Sequence, residues 1–273
     1  YASRGLGDVY KRQVFDDDKQ GDSNGDSDKQ LDAGETIELS VTLKNEGSAA
    51  SDIVTGELIC SSPEINLIKN VASFGKISAG GSRTSDGKFV FSIDKDCQEH
   101  HINGMDPIEF VLTIKDGSSS ISEHFQVNIY APKIEIGNQK ITWTSNGNTT
   151  VEAGETVKMN IDLMNIGQAE ATGLKAVLIS NNSQVSCSST PIVYPSIAFS
   201  ETKTNTVAFQ FQTLSSYVGI LSFALQVSNE YGKTWNFPVN PLSRPSVIKT
   251  STLNFQPYAS SCLLYTSPSP RDA

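Results

Sequence analysis

Apolar and polar residues alternate strictly in two segments of the chain. Every second residue is apolar from Ile37 to Leu43, and the same holds from Val157 to Leu163. A period of two indicates a β-strand with one buried and one solvated face. Asn-x-Gly follows each segment, at Asn45 and Asn165, and both residue types tolerate the left-handed backbone of a turn. The side chains that we expect to face an interior include Ile37, Leu39, Val157 and Met159.

The two segments belong to a longer repeat. Leu31–Gly47 aligns without a gap on Val151–Gly167, with 7 of 17 residues identical, at an offset of 120 residues. The same offset carries Phe89 onto Phe209 further along the chain. A period of this length, with strand-like spacing inside it, indicates tandem copies of one domain.

The pattern predicts an all-β fold. Each copy offers six or seven short alternating segments between turn signals, and none shows the apolar period of a long amphipathic helix. We therefore expect two tandem antiparallel immunoglobulin-like β-sandwiches. The predicted boundaries are residues 14–131 for the first sandwich and 132–244 for the second. Residues 245–261 have the pattern of the start of a truncated third domain.

Both ends of the chain are predicted to be foreign to the protein. Residues 1–13 and 262–273 resemble translated sequencing-adapter peptides, and such segments are left out of fold reasoning. We expect these artefactual tails to be disordered. The first strand of the second copy, residues 133–141, would then have its counterpart before Val14. The first sandwich is accordingly predicted to lack its first strand.

Charge is distributed unevenly along the chain. The net charge is -9, and eight acidic residues fall between Asp16 and Glu35. Nucleic acid is not an expected partner, because phosphate binding needs clustered lysine and arginine. No apolar run approaches the ~20 residues that a membrane-spanning helix requires. We therefore expect no membrane span in this fragment.

The acidic segment contains the best candidate for a binding site. Calcium takes six to eight oxygen ligands, and alternate residues of a tight loop can direct carboxylates at one point. Glu35, at the start of the next strand, could add a further carboxylate. The alternative is a solvated acidic linker, which is common for a run of like charges. The predicted calcium ligands are Asp22, Asn24, Asp26, Asp28 and Asp32.

The second copy provides an internal control for this prediction. Its aligned loop has Asn146 and Asn148 where the first copy has Asp26 and Asp28. Neutral amides preserve the turn but lose most of the affinity for a cation. We therefore expect calcium to bind the first copy and not the second.

The string from Asp22-x-Asn-Gly-Asp26 through the Leu31–Gly47 repeat resembles a known type of module. It is similar to the immunoglobulin-like accessory domains of large secreted bacterial proteins, including those that follow gingipain-like or subtilisin-like peptidase domains. The resemblance implies a secreted or cell-surface protein whose catalytic domain lies outside this fragment. It provides no catalytic residue, because none of the catalytic motifs of those peptidases is present.

Other polar residues have simpler explanations. Glu35 and Glu155 occur in both copies, and we expect them to accept backbone N–H bonds and so to serve the fold. The segment 97–101, Cys-Gln-Glu-His-His, is expected to be a surface loop, with a zinc site as the alternative. A disulfide between Cys60 and Cys97 stays open, with free thiols as the alternative.

The sequence thus predicts a non-catalytic structural or spacer module. No Ser, His and Asp set has the spacing that a hydrolase needs, so we do not expect an enzyme. The expected partners are neighbouring domains of the same chain. An adhesin-like module that recognises a cell-surface glycan or protein through its loops is the alternative, and fold alone does not separate the two.

Overall fold

The computed structural model describes residues 9–101, 105–148 and 150–241. Every helix-or-strand element in this part of the chain is a β-strand. Nine strands form the first half: β1 (Val9–Asp16), β2 (Thr36–Asn45), β3 (Val54–Cys60), β4 (Ile65–Lys69), β5 (Val71–Gly75), β6 (Ser82–Thr84), β7 (Phe89–Ile93), β8 (Ile108–Asp116) and β9 (Ser119–Val127). Nine more form the second: β10 (Ile134–Thr144), β11 (Thr156–Asn165), β12 (Lys175–Ser180), β13 (Val185–Cys187), β14 (Ile192–Val193), β15 (Thr202–Thr204), β16 (Phe209–Thr213), β17 (Phe223–Ser228) and β18 (Thr234–Val239).

Each half consists of two antiparallel sheets. In the first half, one sheet has the order β1-β2-β7-β4, with β6 also paired to β2, and the other has the order β5-β3-β8-β9. In the second half the orders are β10-β11-β16-β13, with β15 on β11, and β14-β12-β17-β18. The two topologies are identical strand for strand. The predicted all-β fold with two tandem sandwiches is confirmed.

The two sandwiches fill their interiors with the same kind of side chain. Ile37, Leu39, Val157 and Met159 are all 0% exposed, as the alternation predicts. An aromatic pair also recurs: the rings of Phe91 and Phe110 lie 5.0 Å apart at 49°, and those of Phe211 and Phe223 lie 4.9 Å apart at 53°. Burying each such ring contributes roughly 1.5–3 kcal/mol, so the shared aromatic pair stabilises both cores.

The repeated Asn-x-Gly turn has a structural role in both halves. The side-chain amide of Asn165 donates to the carbonyls of Ala169 (2.7 Å) and Ile197 (2.9 Å), and its oxygen accepts the N–H of Gly167 (3.0 Å). Asn45 makes the equivalent three bonds in the first half. A buried amide that satisfies backbone groups in this way fixes the end of the strand. The residue is therefore shared because the fold needs it.

The prediction that the first sandwich lacks its first strand was wrong. Strand β1 pairs with β2 from Val9 opposite Asn45 to Asp16 opposite Glu38, as β10 pairs with β11. Residues 9–13, which the sequence assigns to an artefactual tail, thus supply backbone partners to the edge of β2. The other predictions for the ends, on residues 1–8, 245–261 and 262–273, lie outside the described residues. Within the described residues, no helix has the length and apolar character needed to cross a membrane.

Candidate metal centre

The acidic segment folds into a tight loop between β1 and β2. Asn24 exchanges two backbone hydrogen bonds with Thr36, at 2.8 and 3.1 Å, which turns the chain back towards the sheet. Gly25 passes so close to β1 that a Cβ there would lie 2.1 Å from the carbonyl oxygen of Asp17. Ser27 and Lys29 adopt positive φ angles of 70° and 71°. The loop therefore curls over the end of β1.

This curl brings five carboxylates into one cluster. The ligand oxygens of Asp17, Asp26 and Glu35 lie within 4.8 Å of one another, and so do those of Asp26, Asp28 and Asp32. Asp26 belongs to both groups and joins them. Asp17, Asp32 and Glu35 are only 6%, 3% and 0% exposed. We call these five residues the acidic cluster.

Backbone N–H groups of the loop hold part of the cluster in place. Glu35 accepts hydrogen bonds from the amides of Asp26 and Asp32, both at 3.0 Å. Asp17 accepts one from the amide of Lys29 at 2.7 Å. One buried oxygen is left over: Oδ1 of Asp32 has no hydrogen-bond partner. A buried polar atom without a partner is costly and calls for an explanation, such as an ion.

The electrostatics of the cluster are unfavourable without a cation. Among the described residues, no lysine or arginine forms an ion pair with any of the five carboxylates. Burial, and then the charge of Glu35, raises the pKa of Asp32 to about 9. Burial likewise raises the pKa of Glu35 to about 8, and burial followed by the charge of Asp28 raises the pKa of Asp26. A nearby positive charge would favour the ionised forms of these groups at neutral pH.

The donor set fits a hard divalent cation. All five side chains offer carboxylate oxygens, which suit calcium and magnesium better than softer metals. Calcium takes six to eight oxygen ligands in flexible geometry, whereas magnesium demands a near-ideal octahedron. The acidic cluster is formed by five side chains of one irregular loop, and Asp32 has a buried oxygen without a partner. Such an arrangement suits the flexible coordination of calcium better than the octahedron of magnesium.

The structure places only part of the predicted ligand set in the cluster. Asp26, Asp28 and Asp32 are brought together. Asp22 instead forms an ion pair with Lys69, and Asn24 is exposed, with its backbone bonded to β2. The chain leaves the cluster after residue 17 and returns to it only at residue 26. The alternate residues 22, 24, 26 and 28 therefore do not all direct their side chains at one point.

Asp17 and Glu35 are the two members of the acidic cluster that the predicted ligand set does not contain. Asp17 was missed because it directly follows β1, the strand that the sequence predicts to be missing. Glu35 accepts the amide of Asp32 as expected, and Glu155 accepts the amide of Glu152 in the same way at 2.8 Å. Glu35 therefore serves the fold and also points an oxygen into the cluster.

The matching loop of the second sandwich contains fewer acids. Thr144 pairs with Val157 in the ladder and so occupies the position of Asp17. Its hydroxyl lies 2.8 Å from the side-chain oxygen of Asn146, and the amide of Asn146 donates to Glu152 at 3.1 Å. Oε1 of Glu155 is buried without a partner, but only two carboxylates are present here. Calcium takes six to eight oxygen ligands, so an unpartnered oxygen beside a single further carboxylate does not make a calcium site in this loop.

The acidic cluster lies where the two sandwiches meet. Gly34, with φ 101°, sits under Tyr231 of the β17–β18 turn, so close that a Cβ would lie 2.5 Å from that of Tyr231. The Tyr231 hydroxyl lies 3.5 Å from Oε1 of Glu35. Lys19 forms an ion pair of 3.0 Å with Glu230 beside it. The loop of the first sandwich thus contacts the second directly.

The segment that begins at Cys97 differs from the sequence prediction. Cys97, His100 and His101 are buried, so the prediction of a surface loop was wrong. The reason is that the backbone of His100 pairs with Ile129, and His101 meets Gln168 of the second sandwich at 3.1 Å. Cys97 and Cys60 are free thiols, and the open question of a disulfide is answered against the bridge in this structure.

No family model and no curated protein sequence matches the chain. Among solved structures, it is similar to the C-terminal domain of the Streptococcus pyogenes antigen I/II-family protein AspA, at 10% identity over 86% of this chain and 100% of that one, with a TM-score of 0.40. Red sea bream transglutaminase is similar at 12% identity over 84% of this chain, with a TM-score of 0.29, and the match spans only 31% of the transglutaminase. The YadV chaperone is similar at 9% identity over 84% and 98% of the two chains, with a TM-score of 0.23. Likenesses this weak carry no conclusion about what this chain does.

Proposed function

We propose that this chain is a non-catalytic spacer module that calcium stiffens at the acidic cluster. The observation that carries the proposal is the buried, unpartnered oxygen of Asp32 within five carboxylates that have no cationic partner among the described residues. The setting in a secreted or cell-surface bacterial protein, with a peptidase domain elsewhere in it, rests on the sequence resemblance alone.

The spacer role is supported by what the two sandwiches share and by how they meet. Their identical residues include the core leucines Leu43 and Leu163 and the buried asparagines that end the strands, Asn45 and Asn165. The joint is held by polar contacts: Lys19 with Glu230, and the amide of Gln168 with Glu99. The partner of each sandwich is thus its neighbour in the chain. Such a joint suits a module that positions other domains.

The position of the cluster explains how a bound ion would stiffen the module. Asp17 follows the edge strand β1, and Glu35 precedes the central strand β2. Shared ligation would tie the two strands together at the end that the loop connects. An ion that binds only the folded loop stabilises it by mass action, by about 2.7 kcal/mol at 100 times the dissociation constant. Asp32 and Glu35 would bind as carboxylates and release their protons.

Titration calorimetry on the intact, chelator-treated chain tests the proposal. We expect one equivalent of calcium to bind, and Asp32→Asn to abolish the heat. The matched control is Glu152→Gln in the second sandwich, which should leave binding unchanged. An intact chain that gives no heat, or an Asp32→Asn variant that binds like the parent, would refute the calcium site.

One observation favours the alternative of a binding module. The loop between β16 and β17 exposes three apolar side chains, Leu214 at 52%, Val218 at 69% and Ile220 at 75%. Exposed apolar groups within one loop are candidates for an interaction site if they form a contiguous patch. A glycan array with the intact chain and with Val218→Ser/Ile220→Ser tests this function. A glycan that binds the parent and not the variant would establish it, whereas an array without specific binding would exclude the glycan form of this alternative.

A further inference from the structure

A second group of metal-ligating side chains lies in the first sandwich, apart from the acidic cluster. It consists of Cys97 and His100, from the loop between β7 and β8, and Glu64, directly before β4. Their ligand atoms all lie within 4.8 Å of one another. Cys97 is 1% exposed and His100 is 7% exposed. The group therefore combines a thiol, an imidazole and a carboxylate, and its thiol and imidazole are buried.

The imidazole of His100 is oriented for ligation. Its backbone exchanges two hydrogen bonds of 2.9 Å with Ile129, which fixes the residue against the end of β9. Nδ1 lies 2.8 Å from the carbonyl oxygen of Asp106, and a carbonyl can only accept, so Nδ1 carries the hydrogen. Nε2 lies 2.7 Å from Oε2 of Glu64, and the proton of this hydrogen bond is the one that a metal would displace. A histidine that donates from one nitrogen to a carbonyl and presents the other is the usual arrangement of a metal ligand.

We propose that Glu64, Cys97 and His100 form a zinc site. Thiolate, imidazole and carboxylate are the three ligand types that zinc accepts in a tetrahedral site, and a thiolate disfavours calcium and magnesium. The partly exposed Glu64 leaves the fourth position to a water molecule. Binding forms bonds from zinc to sulfur, nitrogen and oxygen, and it releases to solvent both the Cys97 thiol proton and the proton of the His100–Glu64 hydrogen bond. The site would pin the β7–β8 loop to the start of β4.

The second sandwich supplies a comparison without these ligands. The amide of Cys97 bonds to the carbonyl of Asp94 at 3.0 Å, and the amide of Tyr217 bonds to that of Leu214 at 2.9 Å, so Tyr217 occupies the position of Cys97. Tyr217 is 5% exposed and simply fills the space. The carbonyl of Gln184 likewise accepts the Leu214 amide, as that of Glu64 accepts the Asp94 amide. The duplicated frame is thus kept without a thiol or a carboxylate there.

Cobalt substitution of the intact, chelator-treated and reduced chain tests the zinc site. One equivalent of Co²⁺ should produce a thiolate-to-cobalt charge-transfer band in the near ultraviolet and visible bands of tetrahedral intensity. One equivalent of Zn²⁺ should remove them, and excess Ca²⁺ should not. Cys97→Ser should abolish the charge-transfer band, and His100→Gln should abolish the tetrahedral visible bands.

The controls keep this test independent of folding and of the calcium proposal. Cys60→Ser and Cys187→Ser should leave the bands unchanged, and the metal-free Cys97→Ser chain should keep the circular dichroism of the parent. If Cys97→Ser does not fold, Glu64→Gln provides the test instead. This variant keeps the size of the side chain and should weaken cobalt binding. A parent chain without the band, or a band that persists in folded Cys97→Ser, would overturn the proposal. Asp32→Asn should not change the cobalt bands. Failure of the zinc proposal can therefore be distinguished from failure of the calcium proposal.

Discussion

The loops between the first two strands of each sandwich share a frame and differ in their charges. Both begin at a buried position, Asp17 or Thr144, and both end at a glutamate, Glu35 or Glu155, which accepts the amide of the residue three positions earlier. Between these ends the first loop carries five further acids, three of which belong to the acidic cluster, and the second carries one, at Glu152.

This difference separates what the fold needs from what a site needs. The glutamate is kept because its bonds to the backbone close the loop in either copy. The aspartates are replaced in the second loop by side chains such as Asn146, which donates to Glu152 and needs no cation. Duplication thus acts as an internal mutagenesis experiment, in which one loop retains the cluster and the other does not.

The largest expected effect concerns what the sandwiches have in common. Phe91→Ala and Phe211→Ala remove equivalent rings from the two cores, and each should lower the free energy of unfolding of its own sandwich by roughly 3–5 kcal/mol. Urea unfolding followed by circular dichroism reports the unfolding of both sandwiches together. Both tryptophans lie in the second sandwich, so tryptophan fluorescence reports that half.

Phe199→Ala is the control for this pair, because Phe199 is 56% exposed and its loss should change stability little. The comparison breaks if Phe91→Ala shifts the fluorescence transition as strongly as Phe211→Ala does. The two halves would then unfold as one unit, and equivalent residues could not be assigned to separate cores.

The next effect should be confined to the first sandwich. Calcium at 100 times its dissociation constant should raise the free energy of unfolding of that sandwich by about 2.7 kcal/mol. The unfolding midpoint seen by circular dichroism should therefore move to higher urea concentration. The midpoint seen by the fluorescence of Trp143 and Trp235 should move less. Asp32→Asn should remove the calcium-dependent shift. An equal shift in both signals would contradict an ion held by the first loop alone.

The pH dependence should distinguish the calcium-free and calcium-bound states. The pKa values of Asp32 and Glu35 are raised to about 9 and about 8, so the calcium-free folded chain holds protons that the unfolded chain has lost. Its stability should be highest below the ordinary carboxyl pKa near 4 and should fall as the pH rises towards 9. Calcium affinity should rise over the same window, because binding requires the ionised forms.

Urea unfolding and calorimetry between pH 5 and 9 measure the two trends. The isosteric variant Asp32→Asn should flatten the fall in stability of the calcium-free chain, because an amide does not titrate. A calcium affinity that does not change with pH across this range would contradict the raised pKa values of the buried acids.

The smallest expected effect concerns a residue that the structure leaves out of the cluster. Asp22 pairs with Lys69 at an exposed position, and exposed ion pairs contribute about 0.2–1 kcal/mol. Asp22→Asn should therefore lower stability by no more than this and leave the calcium dissociation constant nearly unchanged in calorimetry. A loss of binding as large as that of Asp32→Asn would show that Asp22 is a ligand after all.

The sequence predicted the parts of the fold that repeat over many residues. Strict alternation identified β2 and β11 and their buried faces, from Ile37 and Val157 onward. It missed very short strands, such as β6 and β14, because two or three residues offer too few alternating positions to stand out. These strands exist because the neighbouring long strand offers free backbone partners.

The acidic cluster was predicted in part for the same kind of reason. Asp26, Asp28 and Asp32 follow a local spacing that can be read along the chain. Asp17 joins them through the pairing of β1 with β2, which is a contact between distant residues and has no local signal. Asp22 was included because the loop was assumed to curl around one point, whereas the chain bulges away there towards Lys69.

A crystal structure of the intact chain grown with calcium is the most direct test of the central claim. The account predicts one anomalous-difference peak, surrounded by oxygens of Asp17, Asp26, Asp28, Asp32 and Glu35, and no peak in the loop from Thr144 to Glu155. Peaks in both loops, or an acidic cluster that holds only water at saturating calcium, would contradict it.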